Sequence, residues 1–354
     1  MAKSVEIQRL PQFKYVDSIR WLPSLSPFQR SIIIAFFDSD TDAPSLETHS
    51  LSSTSSETLT LTPLSSWTPP SRISSLKSTS SLIAAATFSG SLHIFPTAQE
   101  STLEPPRMSE LLGGREFHVG PIRGVDVMEG GGSEVVSVGE DGRVNLVRVL
   151  GEGKTGINNC QRVFDGNGLV SYSAVKWASN TEFVTGGCGF GLQWWDLRRP
   201  NSAVAQFKGI WDQGMSSGII HSIDIHQSRK YTCLAGGSSG TVFAWDLRWK
   251  DQPIVLSGVE LNDTATHSLS ESDVWEVQYD CYTKSLSSNS SSSCILPAMI
   301  CSEDGILAVI EQGEEPIELL AEPCAINSFD IDCQNPSDVI CSLEWESIAI
   351  ISRP

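Results

Sequence analysis

Apolar and polar residues alternate with a period of two along most of this chain, and the 3.6-residue rhythm of a helix is hard to find. The clearest unit runs from residue 220 to 259. Residues 220–226 alternate, 231–235 follow a short polar turn, and Gly236-Gly237-Ser238-Ser239-Gly240 reverses the chain. Residues 241–246 make a third strand, ending in Trp245-Asp246, and 253–259 a fourth. The same grammar recurs at 173–196, which ends in Trp195-Asp196, and at 122–149, where Val149 stands in the tryptophan position. It recurs again at 274–310 and at 73–95. Two weaker units begin at 16–22 and at 326–331; the first is expected to find its outer strands within 45–64, and the second stops after three strands.

Units of three or four short strands, with Trp-Asp closing the third, are the signature of a WD-repeat propeller blade. The turn glycines at 90, 142, 191 and 240 lie roughly 50 residues apart, longer than the ~40–45 of a typical blade, which implies long loops. The predicted fold class is all-β: a seven-bladed WD-repeat β-propeller forming a single domain over 1–354. The final unit lacks a fourth strand, while residues 5–10 are a strand-like segment without a partner. A bare sheet edge invites unwanted pairing. The N-terminal strand is therefore expected to complete the last blade.

Between Ser45 and Ser81, 14 of 37 residues are serine and 7 are threonine, and a second serine run fills 285–293. Both are expected to be flexible, solvated loops. No apolar stretch approaches the ~20 residues of a membrane-spanning helix, and the N-terminus shows no signal-peptide pattern. No membrane insertion is expected. A formal charge of −18 argues against a direct nucleic-acid binder, because phosphate contacts need a basic face. The nine cysteines form no Cys-x-x-Cys pair, so zinc ligation has no support, and Cys233, Cys301 and Cys341 sit in apolar runs as packing residues.

No reactive constellation emerges from the six histidines. His221 and His226 lie five apart on one strand, hence on opposite faces. His118 falls near the place where such repeats carry a Gly-His pair. The phosphate-loop motif is absent from the sequence. The expectation is no enzyme, no catalytic residues, no cofactor and no metal.

Binding is what remains. Trp21, Trp177, Trp195, Trp245 and Trp275 take strand positions and are expected in the core. Trp67, Trp211 and Trp249 fall between strands; Trp211 and Trp249, the latter flanked by Arg248 and Lys250, have the composition of an interface hot spot. The plainer alternative is that each packs on its own blade's edge. Glu314, Glu315 and Glu318 form an acidic stretch suited to a basic partner helix. Trp195-Asp196-Leu197-Arg198 and Trp245-Asp246-Leu247-Arg248 resemble the box by which WD-repeat receptors dock a cullin ubiquitin-ligase adaptor. Arg198 and Arg248 would be its contacts.

Residues 236–248, followed by Val274-Trp275-Glu276-Val277-Gln278-Tyr279, Cys301-Ser302-Glu303-Asp304-Gly305 and Ala325-Ile326-Asn327-Ser328-Phe329-Asp330, resemble in order and spacing the forty-three-kilodalton propeller nucleoporins. That family belongs to the Y-shaped outer-ring scaffold of the nuclear pore. The resemblance implies a monomer within a large hetero-oligomer, docked on an α-helical scaffold nucleoporin of the Y's short arm. It implies a place at the nuclear envelope and a role in pore assembly and in transport of protein and mRNA. A cullin-ligase substrate receptor is the alternative.

Overall fold

The computed structural model describes residues 5–23, 30–53, 59–97, 111–128, 134–149, 157–189, 191–199, 201–207, 218–226, 229, 231–246, 254–257, 270–280, 282–283, 297–311 and 314–354. Among them the chain is all-β. An initial strand, β1 (Glu6–Pro11), precedes sheet I, which is β2 (Tyr15–Leu22), β3 (Arg30–Asp38), β4 (Ala43–Ser53) and β5 (Leu59–Trp67). Sheet II is β6 (Ile73–Ser78), β7 (Leu82–Thr87), β8 (Leu92–Pro96) and β9 (Leu111–Leu112). Sheet III is β10 (Ile122–Val127), β11 (Glu134–Gly139), β12 (Arg143–Val149) and β13 (Ile157–Asp165). Sheet IV is β14 (Tyr172–Ser179), β15 (Glu182–Gly187), β16 (Leu192–Asp196) and β17 (Ala205–Phe207). Sheet V is β18 (Ile220–Ile225), β19 (Thr232–Gly237), β20 (Val242–Asp246) and β21 (Ile254–Ser257). Sheet VI is β22 (Val274–Tyr279), β23 (Ala298–Ser302), β24 (Ile306–Ile310) and β25 (Ile317–Ala321). Sheet VII is β26 (Phe329–Ile331), β27 (Asp338–Leu343) and β28 (Ser347–Ser352), with β1 as its fourth strand. The fold is a seven-bladed β-propeller.

The closing strand is where the unmatched terminal segment predicts it. β1 runs antiparallel to β28 over six register pairs, from Glu6 opposite Ser352 to Pro11 opposite Ser347. Two compact units make up the chain: residues 1–172 with 328–354, and residues 173–327. The first holds sheets I, II, III and VII, and the second holds IV, V and VI.

In the first unit, inner strands bury both faces, and alternation sends successive residues to different neighbours. Ile32, Ile34 and Phe36 of β3 pack with Ile340, Ile348 and Ile350 of sheet VII. Ile33 and Ala35 of the same strand pack with Ile73, Leu76 and Phe95 of sheet II. That is why the run 32–37 reads as continuously apolar. In the second unit, Trp194, Phe243 and Trp245 share a cluster with Val184 and Ile223. Val274, Val277 and Ile300 share another with Leu234 and Ala244.

The first strands of sheets I and VI have backbone N–H groups on their free edges that side chains of the preceding blade serve. Ile19 N donates to Ser328 Oγ at 3.3 Å and Trp21 N to Asp330 Oδ2 at 2.8 Å. In the second unit Val277 N donates to Ser222 Oγ at 3.2 Å and Tyr279 N to Asp224 Oδ2 at 2.8 Å. A Ser-x-Asp triplet thus caps two donors at matching spacing.

Two expectations need correction. The serine- and threonine-rich stretch around 45–81 is not a loop: its first part forms β4 and β5, and β6 lies within it. Leu46, Thr48 and Leu51 of β4 are buried, while β5, the edge strand, fully buries none of its side chains. Hydroxyls of paired strands bond each other, Thr48 to Ser65 at 2.6 Å and Ser52 to Thr60 at 3.0 Å. Threonine also suits a pleated strand. The serine run at 285–293 lies outside the described residues.

Trp275 is the second correction. Trp21, Trp177, Trp195 and Trp245 are buried, but Trp275 is only half-buried, with its Nε1 donating to Glu303 and its ring 4.6 Å from that of His221. A β-bulge between Val274 and Glu276 turns it outward. The same bulge recurs at Asp17, Ser74, Arg123 and His221. Asp17 pairs with Arg72, Arg123 with Glu140, and His221 with Asp273. The bulge recurs in five sheets, at one residue of the first strand in each.

Candidate docking surfaces

Where Trp195-Asp196 closes β16, the geometry is local and satisfied. Trp195 Nε1 donates to Thr185 Oγ1 at 2.9 Å, inside the core. Asp196 accepts from Arg198 three times: backbone N at 2.9 Å, Nε at 2.8 Å and Nη2 at 2.9 Å. Arg198 also lies 3.6 Å from Glu182. The guanidinium, although two-thirds exposed, is already forked onto its own blade. Its hydrogen bonds hold the Asp196 carboxyl below the usual range. Arg248, Trp211 and Trp249 lie outside the described residues.

His118 is buried in a polar network rather than aimed at a substrate. Nδ1 lies 3.1 Å from Asp141 Oδ1, and Nε2 lies 3.0 Å from both Ser137 Oγ and Asn145 Nδ2. Asp141 also accepts from Val119 N at 2.8 Å and Arg143 N at 3.1 Å. Burial would raise the Asp141 carboxyl, but these donors outweigh it and hold it low. The network ties the connection before β10 to the turn between β11 and β12. Among the described residues no cluster of ligating side chains is arranged for a metal ion, and no helix is long and apolar enough to cross a membrane.

The acidic stretch is on the surface. Glu314, Glu315 and Glu318 are exposed along β25 and the turn leading into it, and β25 is the outer strand of sheet VI. Ile317 beside them is 47% exposed. None of the three carboxylates has an ion-pair partner among the described residues. An edge strand bearing charges resists adventitious strand pairing, and the same charges would attract a cationic segment.

A second surface carries no sequence signal strong enough to single it out. Among the described residues of the first unit, the large apolar side chains that remain exposed are Phe13, Tyr15, Leu64, Phe88, Val119, Leu169 and Trp345. All but Leu64 fall in, or at the mouth of, connections that enter a blade or join its second and third strands. Antiparallel order puts those connections at one end of the blades. Phe13 is 84% and Trp345 65% exposed, and they belong to adjoining turns. Gln12 N donates to Glu346 O at 2.7 Å, one step beyond the Pro11–Ser347 pair of the β1–β28 ladder, and Phe13 and Trp345 are the next residues of the two chains beyond that bond. Phe13 and Glu346 both have φ of 59°, a conformation rare for a side chain as bulky as phenylalanine.

No family model matches the sequence. The whole chain is 58% identical to the nuclear pore complex protein NUP43 of Arabidopsis thaliana and covers 99% of that relative. The mouse and human nucleoporins Nup43 are 28% and 26% identical over 41% of the chain and a third of their own length. Identity of that degree from one end to the other, on a chain of seven four-stranded blades, makes this protein a member of the Nup43 family of nucleoporins.

Proposed function

We propose that the protein is a non-enzymatic scaffold subunit at the nuclear pore of the nuclear envelope, working as a single propeller domain over 1–354. It docks on an α-helical scaffold nucleoporin of the Y-shaped complex's short arm and supports pore assembly and transport of protein and mRNA. The observation that carries this reading is the end-to-end likeness to a nuclear pore protein. The exposed edges and turns of the blades supply contact area, without a reactive centre being needed.

The reading is tested by expressing the full chain with a fluorescent tag and capturing it under native conditions. A nuclear-rim signal and recovery of helical scaffold nucleoporins are the expected results. Diffuse cytoplasmic signal, or recovery of a cullin-ligase adaptor that is lost on Arg248→Ala with no nucleoporin present, would overturn it. The engagement of Arg198 by Asp196 and Glu182 weighs against the ligase reading, which needs that guanidinium free.

A further inference from the structure

Arginine covers three other aromatic rings of the first unit. Arg30 lies over Trp21 at 4.4 Å, Arg72 over Phe37 at 4.2 Å and Arg123 over Phe88 at 5.2 Å, measured to ring centroids. Phe13 and Trp345, the most exposed aromatic rings of that unit, have no such cover among the described residues. The nearby cations are committed elsewhere. Lys14 donates to Glu47 at 3.0 Å and lies over Phe36, and Arg72 is paired with Asp17. Glu47 is well bound in turn: the His49 ring, then Lys14 and Ser45, hold its carboxyl down to about 2 against burial.

The chain neighbours of Trp345 are negative, and so is the turn beyond Tyr15. Trp345 stands between Glu344 and Glu346. Tyr15, 37% exposed, is opposite Phe37, next to the turn that carries exposed Asp40 and Asp42. These four carboxylates have no ion-pair partner among the described residues. Rings without a cation, beside carboxylates without a counter-ion, are complementary to one chemistry: a cation that can stack and pair at once.

We propose that Phe13, Tyr15 and Trp345, with Glu344, Glu346, Asp40 and Asp42, form a docking surface for an arginine- or lysine-bearing segment of a partner protein. The cation lies over the Trp345 face, its neighbours pair with the rim carboxylates, and the aliphatic stems cover Phe13. Phe13 is fixed for this at positive φ by the closing strand, so the surface exists only when β1 is seated on β28. The proposal rests on the scaffold reading only in requiring a protein partner.

The test places a photo-crosslinking amino acid at position 345 of the full chain in cells, with a second probe at 317 on the acidic edge of sheet VI. The expected result is an adduct at 345 whose crosslinked peptide carries arginine or lysine within a few residues of the joined site. In parallel, the double variant Phe13→Ser/Trp345→Ser should retain that partner at least tenfold less well while melting at the wild-type temperature. No adduct at 345, an adduct to lipid, to a second copy of this chain or to an acidic segment, or full retention by the double variant would each overturn the proposal. A supporting adduct from a protein absent from the nuclear pore would sustain this surface and refute the pore assignment, which keeps the two readings apart.

Discussion

His93 makes stability depend on pH in a way that can be calculated. The side chain lies in β8, 2% exposed, with Nε2 2.9 Å from Ser91 Oγ and its ring 4.6 Å from that of Trp67. Nδ1 is buried without a partner among the described residues. Burial lowers the imidazole from its ordinary 6.5 to about 4. Above pH 6.5 the ring is neutral in native and unfolded chains alike, and its titration changes nothing. Below 6.5 the unfolded chain takes up the proton first, and stability falls until the native ring also protonates near pH 4. The full loss is roughly 3 kcal/mol, of which about 2 has already been lost at pH 5. His93→Gln keeps a donor and acceptor near Ser91 and cannot titrate. Urea unfolding of both proteins at pH 7.5 and pH 5.0 isolates the effect, because carboxylates and the other histidines contribute equally to each. Wild type should lose about 2 kcal/mol more than His93→Gln between the two conditions. Equal losses would refute the reasoning.

Two further predictions concern backbone geometry and closure. Gly142 has φ of +74°, and a Cβ there would strike the Val170 carbonyl oxygen; Gly142→Ala should cost roughly 2–5 kcal/mol from left-handed strain plus overpacking. Gly114, at φ of +84° with nothing near its missing Cβ, should cost only about 1–2 kcal/mol on the same change, so equal denaturation midpoints would contradict the packing argument. Removing residues 1–11 strips six paired residues from β28 and leaves Ile348 and Ile350 beside a bare edge. Lower melting temperature and aggregation are expected in calorimetry and light scattering, and unchanged values would show that β1 is dispensable.

What the sequence reveals and hides follows from how each residue is used. Inner strands bury two faces, so Ile32 to Phe37, or Cys233-Leu234-Ala235, cannot be taken for anything but strand. The seventh blade is legible because a three-strand unit at one end and an orphan strand at the other are each incomplete alone, and the register from Glu6 to Pro11 joins them. Strands β4 and β5 are rich in serine and threonine, so composition points to solvent while Leu46 and Leu51 do the packing. Trp275 misleads for a different reason: period-two reasoning assumes an unbroken strand, and a bulge beside Val274 shifts the following side chain to the other face.

The surface around Trp345 is hidden for a third reason, and it bears on how this fold presents itself to partners. A lone tryptophan between two glutamates in a three-residue reversal has no periodicity to betray it. It becomes a feature only because Pro11 and Gln12 arrive from more than 300 residues away and bring Phe13 to the adjoining turn. The contact that closes the seventh blade therefore also builds the most exposed aromatic pair of the first unit. If docking buries that pair, a bound partner holds β1 against β28 and stabilises the closed form by its differential affinity for it. Partner binding and retention of the closing strand would then be one equilibrium, seen in hydrogen exchange as protection of Ile7 to Leu10 that rises with partner concentration.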